Sequence, residues 1–369
     1  MSKRGKVCVI YTGGTIGMVQ DHGVLRPPES ADDFLKLAPE LDKFVDVDFL
    51  QLLNKDSTNM TQHDWVKMAE AIYKRRNAGY DGIVVAHGTD TMHFSSSAVA
   101  FALGNNLNFP VVFTGAQTIP AVPGGDARRN LVNACRVALT DMAEVAISFG
   151  DYVFRACRAQ KKDEKKFDAF ESPAYFPIAY ITETIDLEPI AFRKMHKPAT
   201  GINESDFKPF FEAGVYQVEL VPGLEPELVE QSLNSKLCKG LILKSFGAGN
   251  VPTEGGYSFV PIIKKAVHEM GIPVIITSQF PAHSTMNTRY ETGVMAVEAG
   301  AIATGNMTSA AATAKFRWIL AQVNKEKLIP EEKMEKIRKM MGHVYIGEMS
   351  VGQDSLDKPP LIMNPRLET

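Results

Sequence analysis

The sequence is poor in cysteine and contains no long apolar run. Among its 369 residues are only four cysteines, none of them in a C-x-x-C pair. Neither a disulfide framework nor a cysteine metal site is therefore expected. The first apolar run covers residues 7–11, which is too short for a signal peptide, and no stretch reaches membrane-spanning length. These absences predict a cytoplasmic protein without membrane contact.

Net charge is also small. The formal value of −3 gives no electrostatic footprint for nucleic acid. His87 and His93 lack partners at metal-ligand spacing, so we predict no metal. The Gly-rich residues 12–17 (TGGTIG) match neither G-x-G-x-x-G nor a phosphate loop with Gly-Lys-Ser/Thr. Nucleotide binding is thus the weaker interpretation of that turn.

Residues 83–92 organise the expected fold. The run IVVA at 83–86 predicts a buried strand, and Gly88 lets the backbone turn sharply and approach a ligand. Small polar groups such as Thr89 and Asp90 at the carboxyl end of a parallel strand lie where open α/β sheets bind ligands. The stretch therefore predicts a binding site, although a plain helix cap has the same local pattern.

A second stretch near the N-terminus has the same design. Residues 7–11 predict a strand, and residues 12–17 predict the tight turn that follows it. If the two strands share one sheet, Thr15 and Thr89 lie at the same edge.

Strands alternate with helices in both halves of the chain, which predicts two α/β domains with parallel sheets. We place the N-terminal domain at residues 1–190 and the C-terminal domain at 214–350. A linker rich in proline and charge covers 191–213, and residues 351–369 form a tail.

Three segments have more specific expectations. Residues 18–30 predict a surface loop, with a lid as an equally open interpretation. Residues 126–144 predict a mostly helical segment, and the basic run 155–166 predicts a solvated turn.

The polar residues at the strand ends suit acyl transfer. A threonine hydroxyl is a weak nucleophile until a base removes its proton. Lys161, held by a carboxylate such as Asp90, can activate Thr89 in this way. Two threonines, Thr15 and Thr89, facing one cavity suit a two-stage transfer.

The same edge offers groups for an amino-acid substrate. Asp56 suits an α-amino group, and Ser57 or the N–H of Gly88 suits a carboxylate. Backbone N–H groups at Gly14, Gly88 and Gly115 are available for an oxyanion.

Four segments in combination resemble the signature segments of bacterial-type L-asparaginases, most closely the cytosolic type I branch. They are residues 12–17 (TGGTIG), 56–60 (DSTNM), 87–92 (HGTDTM) and 114–117 (TGAQ). Residues 244–252 (KSFGAGNVP) resemble that family's C-terminal marker. Residues 167–173 (FDAFESP) resemble the segment after its catalytic lysine, which makes Lys161 rather than Lys162 the match.

The resemblance, which covers roughly residues 5–350, implies residue roles. Thr15 is the implied nucleophile of an acyl-enzyme, and Thr89, Lys161 and Asp90 form the implied second triad. The implied substrate-binding residues are Asp56, Ser57, Gly88 and Ala116.

The resemblance also implies a fold and an activity. The fold is a doubly wound N-terminal domain with a smaller flavodoxin-like α/β C-terminal domain. The activity is cofactor-free conversion of L-asparagine to L-aspartate and ammonia in a homodimer or homotetramer, and the preference between asparagine and glutamine stays open.

Two positions depart from the family pattern. The family normally has a tyrosine on the lid after the first threonine, and Val24 occupies or adjoins that place here. The candidates to replace it are Tyr11, His22 and Tyr290. Alternatively, the Thr89–Lys161–Asp90 relay supplies the nucleophile while Thr15 positions the substrate, or the protein is a weak enzyme. Residues 277–280 (TSQF) stand where the type I branch uses a cysteine in a regulatory asparagine site, which argues against such regulation.

Two other functions compete. One is the D subunit of a tRNA-dependent amidotransferase, which resembles asparaginase but has an extra N-terminal domain. The short stretch before the first strand favours the free enzyme. The other is a non-catalytic amino-acid or nucleotide binder, which has no need of two threonines, a lysine and an aspartate in a relay.

Overall fold

The computed structural model describes residues 4–21, 24–26, 30, 32, 36–280 and 291–350. The N-terminal strands are β1 (Gly5–Tyr11), β2 (Val19–Asp21), β3 (Val24–Arg26), β4 (Val45–Gln51), β5 (Gly82–Ala86), β6 (Val111–Thr114), β7 (Val145–Phe149), β8 (Tyr152–Arg155), β9 (Gln160–Lys161), β10 (Phe170–Glu171), β11 (Ala179–Ile181) and β12 (Ile185–Leu187). Helices α1 (Gln62–Arg75), α2 (Met92–Leu103) and α3 (Ala127–Ala138) accompany them.

An eight-stranded sheet forms the centre of the N-terminal part, in the order β12-β11-β8-β7-β6-β5-β1-β4. Strands β5, β6 and β7 are buried along their whole length, which explains their continuous apolar runs. Buried residues of α2 belong to the core on one face of the sheet, and those of α3 belong to the core on the other. Helices thus cover both faces.

The C-terminal part is a smaller parallel sheet with helices. Its strands are β13 (Val215–Glu219), β14 (Gly240–Ser245), β15 (Val274–Ser278) and β16 (Ile302–Ala303), paired in that order. Its helices are α4 (Pro226–Leu233), α5 (Val260–Lys264, continued by a π-helical turn at Lys265–Glu269), α6 (Glu291–Glu298), α7 (Ser309–Val323) and α8 (Pro330–Gly342). The predicted fold class, a larger N-terminal and a smaller C-terminal α/β domain, is confirmed. No helix in the described part of the chain is long and apolar enough to cross a membrane.

Helices α2 and α7 join the two parts. The rings of Phe101 and Trp318 stack with centroids 5.8 Å apart. Beside them, Lys315 donates to Glu348 at 2.7 Å, and neither side chain of this pair is exposed. Lys315 also donates to the carbonyls of Met341 and His343, so a buried charge is fully partnered.

Three expectations about the elements need correction. The segment predicted as a loop at 18–30 contains an antiparallel hairpin, in which Val19 pairs with Arg26; strands of three residues are too short to show alternation. The sheet of the N-terminal part is mixed, because the pairs β7–β8, β8–β11 and β11–β12 are antiparallel. The helix predicted over 126–144 ends at Ala138, after which the N–H of Ala143 donates to Phe192.

The basic run 155–166 is only partly solvated. Arg155 and Arg158 are 3% and 2% exposed, because the charge of each is partnered inside the protein. Arg155 donates to Glu144 at 2.6 Å, and Arg158 donates to the carbonyl of Gly347 at 2.7 Å. These buried contacts hold the residues that directly precede Lys161 in the chain.

Candidate active site

Four neighbouring parallel strands bring the motif segments to one edge of the sheet. In the order β4-β1-β5-β6, Gln51 pairs with Tyr11, Tyr11 with Ala86, and Ala86 with Thr114. The segments beginning at residues 52, 12, 87 and 115 therefore leave the sheet side by side. This is the edge at which open α/β sheets bind ligands.

Close backbone packing holds these turns together. Gly14 has φ +87°, and a Cβ built on it would lie 2.6 Å from the Cα of Gly88. A Cβ on Gly88 would lie 2.8 Å from the side chain of Ser57. Only glycine permits this approach, so the glycines of the motifs allow three segments to share one small site.

Thr89, Lys161 and Asp90 form a hydrogen-bonded group. The Nζ of Lys161 donates to Thr89 Oγ1 at 2.9 Å and to Asp90 Oδ1 at 2.6 Å. The Lys161 side chain is 12% exposed, whereas that of Asp90 is 55% exposed. Lys161 comes from β9, which pairs with β10 so that Lys161 lies opposite Phe170. Lys162, by contrast, contacts Asp168 at 2.7 Å.

Thr15 lies at the open side of the edge. It begins a 3₁₀ turn after Gly14 and is exposed. Its hydroxyl donates to the carbonyl of Ala116 at 2.7 Å, so the turn after β6 contacts the turn after β1. The hydroxyl oxygen is left with lone pairs for a substrate atom.

Asp56 and Ser57 begin a short 3₁₀ turn beside Gly88. Asp56 Oδ1 accepts from the N–H and the hydroxyl of Thr58, both at 2.8 Å. These two bonds, the backbone one being the stronger, lower the pKa of Asp56 and keep the exposed carboxylate ionised. Ser57 is buried, and its carbonyl accepts from Thr91 at 2.7 Å.

Asp126 is a site residue that the motif patterns did not identify. Its buried carboxylate accepts from the N–H groups of Gln117 and Thr118 at 2.9 and 3.0 Å, and from the Thr118 hydroxyl at 2.9 Å. It thereby sets the turn that presents Ala116 to Thr15. The only sequence signal was a carboxylate at the start of a predicted helix.

Two histidines near the site are neutral. Burial lowers the pKa of His87 to about 4, and its Nδ1 lies 2.6 Å from the carbonyl of Gly88. Because a carbonyl only accepts, Nδ1 carries the proton. Burial and the charge of Lys161 lower the pKa of His93 to about 4. In the described ranges, no group of three or more His, Cys, Asp or Glu residues is arranged to hold a metal ion.

Tyr11 is not placed as a base. Its ring is fully buried beneath the Gly-rich turn, and its hydroxyl donates to the carbonyl of Gly14 at 3.2 Å. Burial raises its pKa to about 12, so the phenol stays protonated. The other two candidates, His22 and Tyr290, lie outside the described residues, as does the side chain of Val24.

Family models match both parts of the chain. The "Asparaginase, N-terminal" model covers residues 6–191, and the "Glutaminase/Asparaginase C-terminal domain" model covers residues 214–332. The chain therefore belongs to the asparaginase family, which the sequence motifs had indicated.

Relatives within the family include two kinds of named protein. The chain is 33% identical over 346 residues to an L-asparaginase of Thermococcus kodakarensis, covering 94% of this chain and 99% of the relative. It is 32% identical over 342 residues to the D subunit of the glutamyl-tRNA(Gln) amidotransferase of Methanothermobacter thermautotrophicus, covering 90% of this chain and 75% of the relative.

Solved structures agree with this fold. The thermostable L-asparaginase from T. kodakarensis superposes with a TM-score of 0.82 at 32% identity, covering 94% of this chain and all of that one. L-asparaginase I from Vibrio cholerae gives a TM-score of 0.81 at 30% identity, covering 95% of this chain and all of that one.

Proposed function

We propose that the protein hydrolyses L-asparagine to L-aspartate and ammonia through a threonine acyl-enzyme. One observation carries the proposal most: Lys161 contacts both Thr89 and Asp90 at 2.9 and 2.6 Å, at the sheet edge that also presents Thr15. A binder of amino acids has no need of this arrangement, whereas an acyl transfer does.

In the proposed reaction, Thr15 Oγ1 attacks the carbon of the side-chain amide. Ammonia leaves with the added proton, and water then hydrolyses the ester and restores the Thr15 hydroxyl. Lys161, while neutral, takes the Thr15 proton through Thr89 and returns it to the amide nitrogen as the C–N bond breaks, and Asp90 orients the lysine. Backbone N–H groups near Gly88 and Gly115 are available to the oxyanion.

The ionised Asp56 suits the α-amino group of the substrate. Ser57 and the N–H of Gly88 suit its α-carboxylate, and Ala116 lies beside the amide that is attacked. The lack of a Cβ at Gly14 and Gly88 keeps these binding groups close together, and the proposed step uses no cofactor.

Ammonia release from asparagine and from glutamine by the purified protein tests this proposal. We expect aspartate and ammonia in equal amounts from asparagine at millimolar substrate. If neither amino acid yields ammonia, the proposal is refuted. If only glutamine yields ammonia, the protein is a glutaminase and not an asparaginase.

The second candidate is the glutaminase of a tRNA-dependent amidotransferase. The relatives named as D subunits of such amidotransferases, at identities similar to that of the asparaginase, favour it. Release of ammonia that is stimulated by a partner protein with its tRNA, and slow without them, would support this candidate.

We also propose a homo-oligomer of two or four chains in the cytoplasm. Resemblance to the family supports the assembly, and free cysteines at Cys8, Cys135, Cys157 and Cys238 support a reducing compartment. Light scattering at micromolar protein tests the assembly; an active monomer would refute it. Cell fractionation tests the location.

A further inference from the structure

Gln117 links the candidate triad to the loop that carries Lys161. Its Oε1 lies 3.3 Å from Thr89 Oγ1. Its Nε2 lies 3.2 Å from the carbonyl of Asp163 and 3.3 Å from that of Lys166. Its backbone is itself held by Asp126 at 2.9 Å. One side chain thus joins the turn after β6, the turn after β5 and the loop 161–168.

The partners of Gln117 determine the direction of each hydrogen bond. A carbonyl can only accept, so the two loop carbonyls must face the NH₂ group of the amide. The amide oxygen must then face Thr89, and the Thr89 hydroxyl must donate to it. The ammonium of Lys161 can only donate, so it donates to the Thr89 oxygen. At rest, the Thr89 proton therefore points towards Gln117 and away from Lys161.

We propose that Gln117 is a positioning residue of the reaction, an inference that rests on the proposed function. It ties the Lys161 loop to the sheet edge and holds the Thr89 hydroxyl in its resting direction. When Lys161 becomes neutral, the Thr89 hydroxyl turns from Gln117 to Lys161. No covalent bond changes in that turn; one hydrogen bond replaces another, and the relay becomes competent.

Two substitutions separate the two ends of the amide. Gln117→Met keeps the length of the side chain but removes the acceptor for Thr89 and the donors to the loop. Gln117→Glu keeps an acceptor oxygen, removes the donors at neutral pH and adds a negative charge near Lys161.

The two variants predict opposite shifts of the pH profile. The carboxylate of Gln117→Glu adds to that of Asp90, 2.6 Å from Lys161, in favouring the ammonium form of the lysine, so the acid limb of kcat moves to higher pH. Gln117→Met removes the acceptor that competes for the Thr89 proton, so the limb moves to lower pH. Misplacement of the loop lowers kcat by up to about 10²-fold in both variants, with KM changed little.

Hydrogen exchange measures the loop contact without any assay of activity. The N–H groups of Lys165 and Lys166 donate to Asp163 Oδ1 at 2.8 and 2.9 Å. Loss of the Gln117 bonds to the same loop should speed exchange in residues 161–168 about ten-fold, since a hydrogen bond contributes about one factor of ten.

Gln279 provides a matched control in the C-terminal part. Its Nε2 also donates to two carbonyls, those of Leu220 and Lys244 at 2.5 and 3.1 Å. Gln279→Met should leave both the exchange of residues 161–168 and the pH profile unchanged.

The experiment compares exchange and pH–kcat profiles of the wild type and the three variants. Faster exchange in both Gln117 variants, with limbs shifted in opposite directions, supports the proposal. Unchanged exchange, or unmoved limbs in an active enzyme, overturns it. If the wild type releases no ammonia, the proposed function fails while the exchange result still decides the positioning role. If Gln117→Met does not fold, Gln117→Glu provides the same exchange comparison.

Discussion

At the residue scale, the burial of His87 makes the free energy of unfolding depend on pH. Its pKa is lowered from 6.5 to about 4 by burial. Between those two pH values, His87 is therefore protonated in the unfolded chain and neutral in the folded chain. The contribution of neutral His87 to stability is fully present above the unfolded pKa and is lost as the pH falls through this window.

We expect the titration of His87 to lower the free energy of unfolding by about 2 kcal/mol when the pH falls from 7 to 5. Urea unfolding at both pH values measures this loss in the wild type and in His87→Gln, which does not titrate there. The difference between pH 7 and pH 5 should be smaller by about that amount in the variant. An equal difference in both proteins would mean that His87 is protonated in the folded state.

The residues of the candidate triad could be proposed from the sequence, but their contacts could not. The resemblance of residues 167–173 selected Lys161 over Lys162, and the structure places Lys161 against Thr89. Gln117 was visible only as one polar group at a strand end. Its proposed role depends on two loop carbonyls, and a backbone carbonyl has no signature in the sequence.

At the element scale, the contact between the turns after β1 and β5 depends on glycine. Gly14 and Gly79 have similar positive φ values, +87° and +78°. A Cβ at Gly14 would meet the backbone of Gly88, whereas a Cβ at Gly79 would meet nothing within 4 Å. The two positions thus share backbone strain and differ in space.

Gly79→Ala should cost about 1 kcal/mol of stability, from the positive φ alone. Gly14→Ala should cost about 2–4 kcal/mol, because overpacking against backbone adds to the same strain. It should also lower activity, since the turn carries Thr15. Thermal unfolding and ammonia release compare the two variants. Equal effects on both measurements would show that the close approach does not matter.

Strands and helices with strong apolar patterns were predictable, and the exceptions have physical causes. β1, β5 and β6 are buried on both faces, so their apolar runs were clear. The helix predicted over 126–144 ends early, and the chain beyond it pairs with a distant segment: the N–H of Ala143 donates to Phe192, and Met142 forms a β-bridge with Arg193. Such tertiary contacts leave no periodic signal.

At the scale of the whole molecule, a buried ion pair secures the C-terminal segment. Lys315 lies on α7, and Glu348 lies in the segment after α8, with neither side chain exposed. The same segment reaches the N-terminal part, where Arg158 donates to Gly347 at 2.7 Å. The fold class was predictable, but this connection was not, because the partners are distant in sequence and lie outside any motif.

Glu348→Gln should lower the free energy of unfolding by about 3 kcal/mol, because it leaves the buried charge of Lys315 without its counterion. Glu219→Gln is the control: Glu219 pairs with Lys244 at 2.7 Å, but its side chain is 55% exposed. That variant should change stability by less than about 1 kcal/mol. Similar losses in denaturant unfolding would contradict the proposed importance of burial.

The most direct test of the central claim compares two adjacent lysines. Lys161 contacts Thr89 and Asp90, whereas Lys162 contacts Asp168. Ammonia release from asparagine is measured for Lys161→Met and Lys162→Met beside the wild type. We predict that Lys161→Met loses about 10³-fold or more in kcat, while Lys162→Met stays within a few-fold of the wild type. Near-normal activity of Lys161→Met would contradict a relay through Thr89, Lys161 and Asp90.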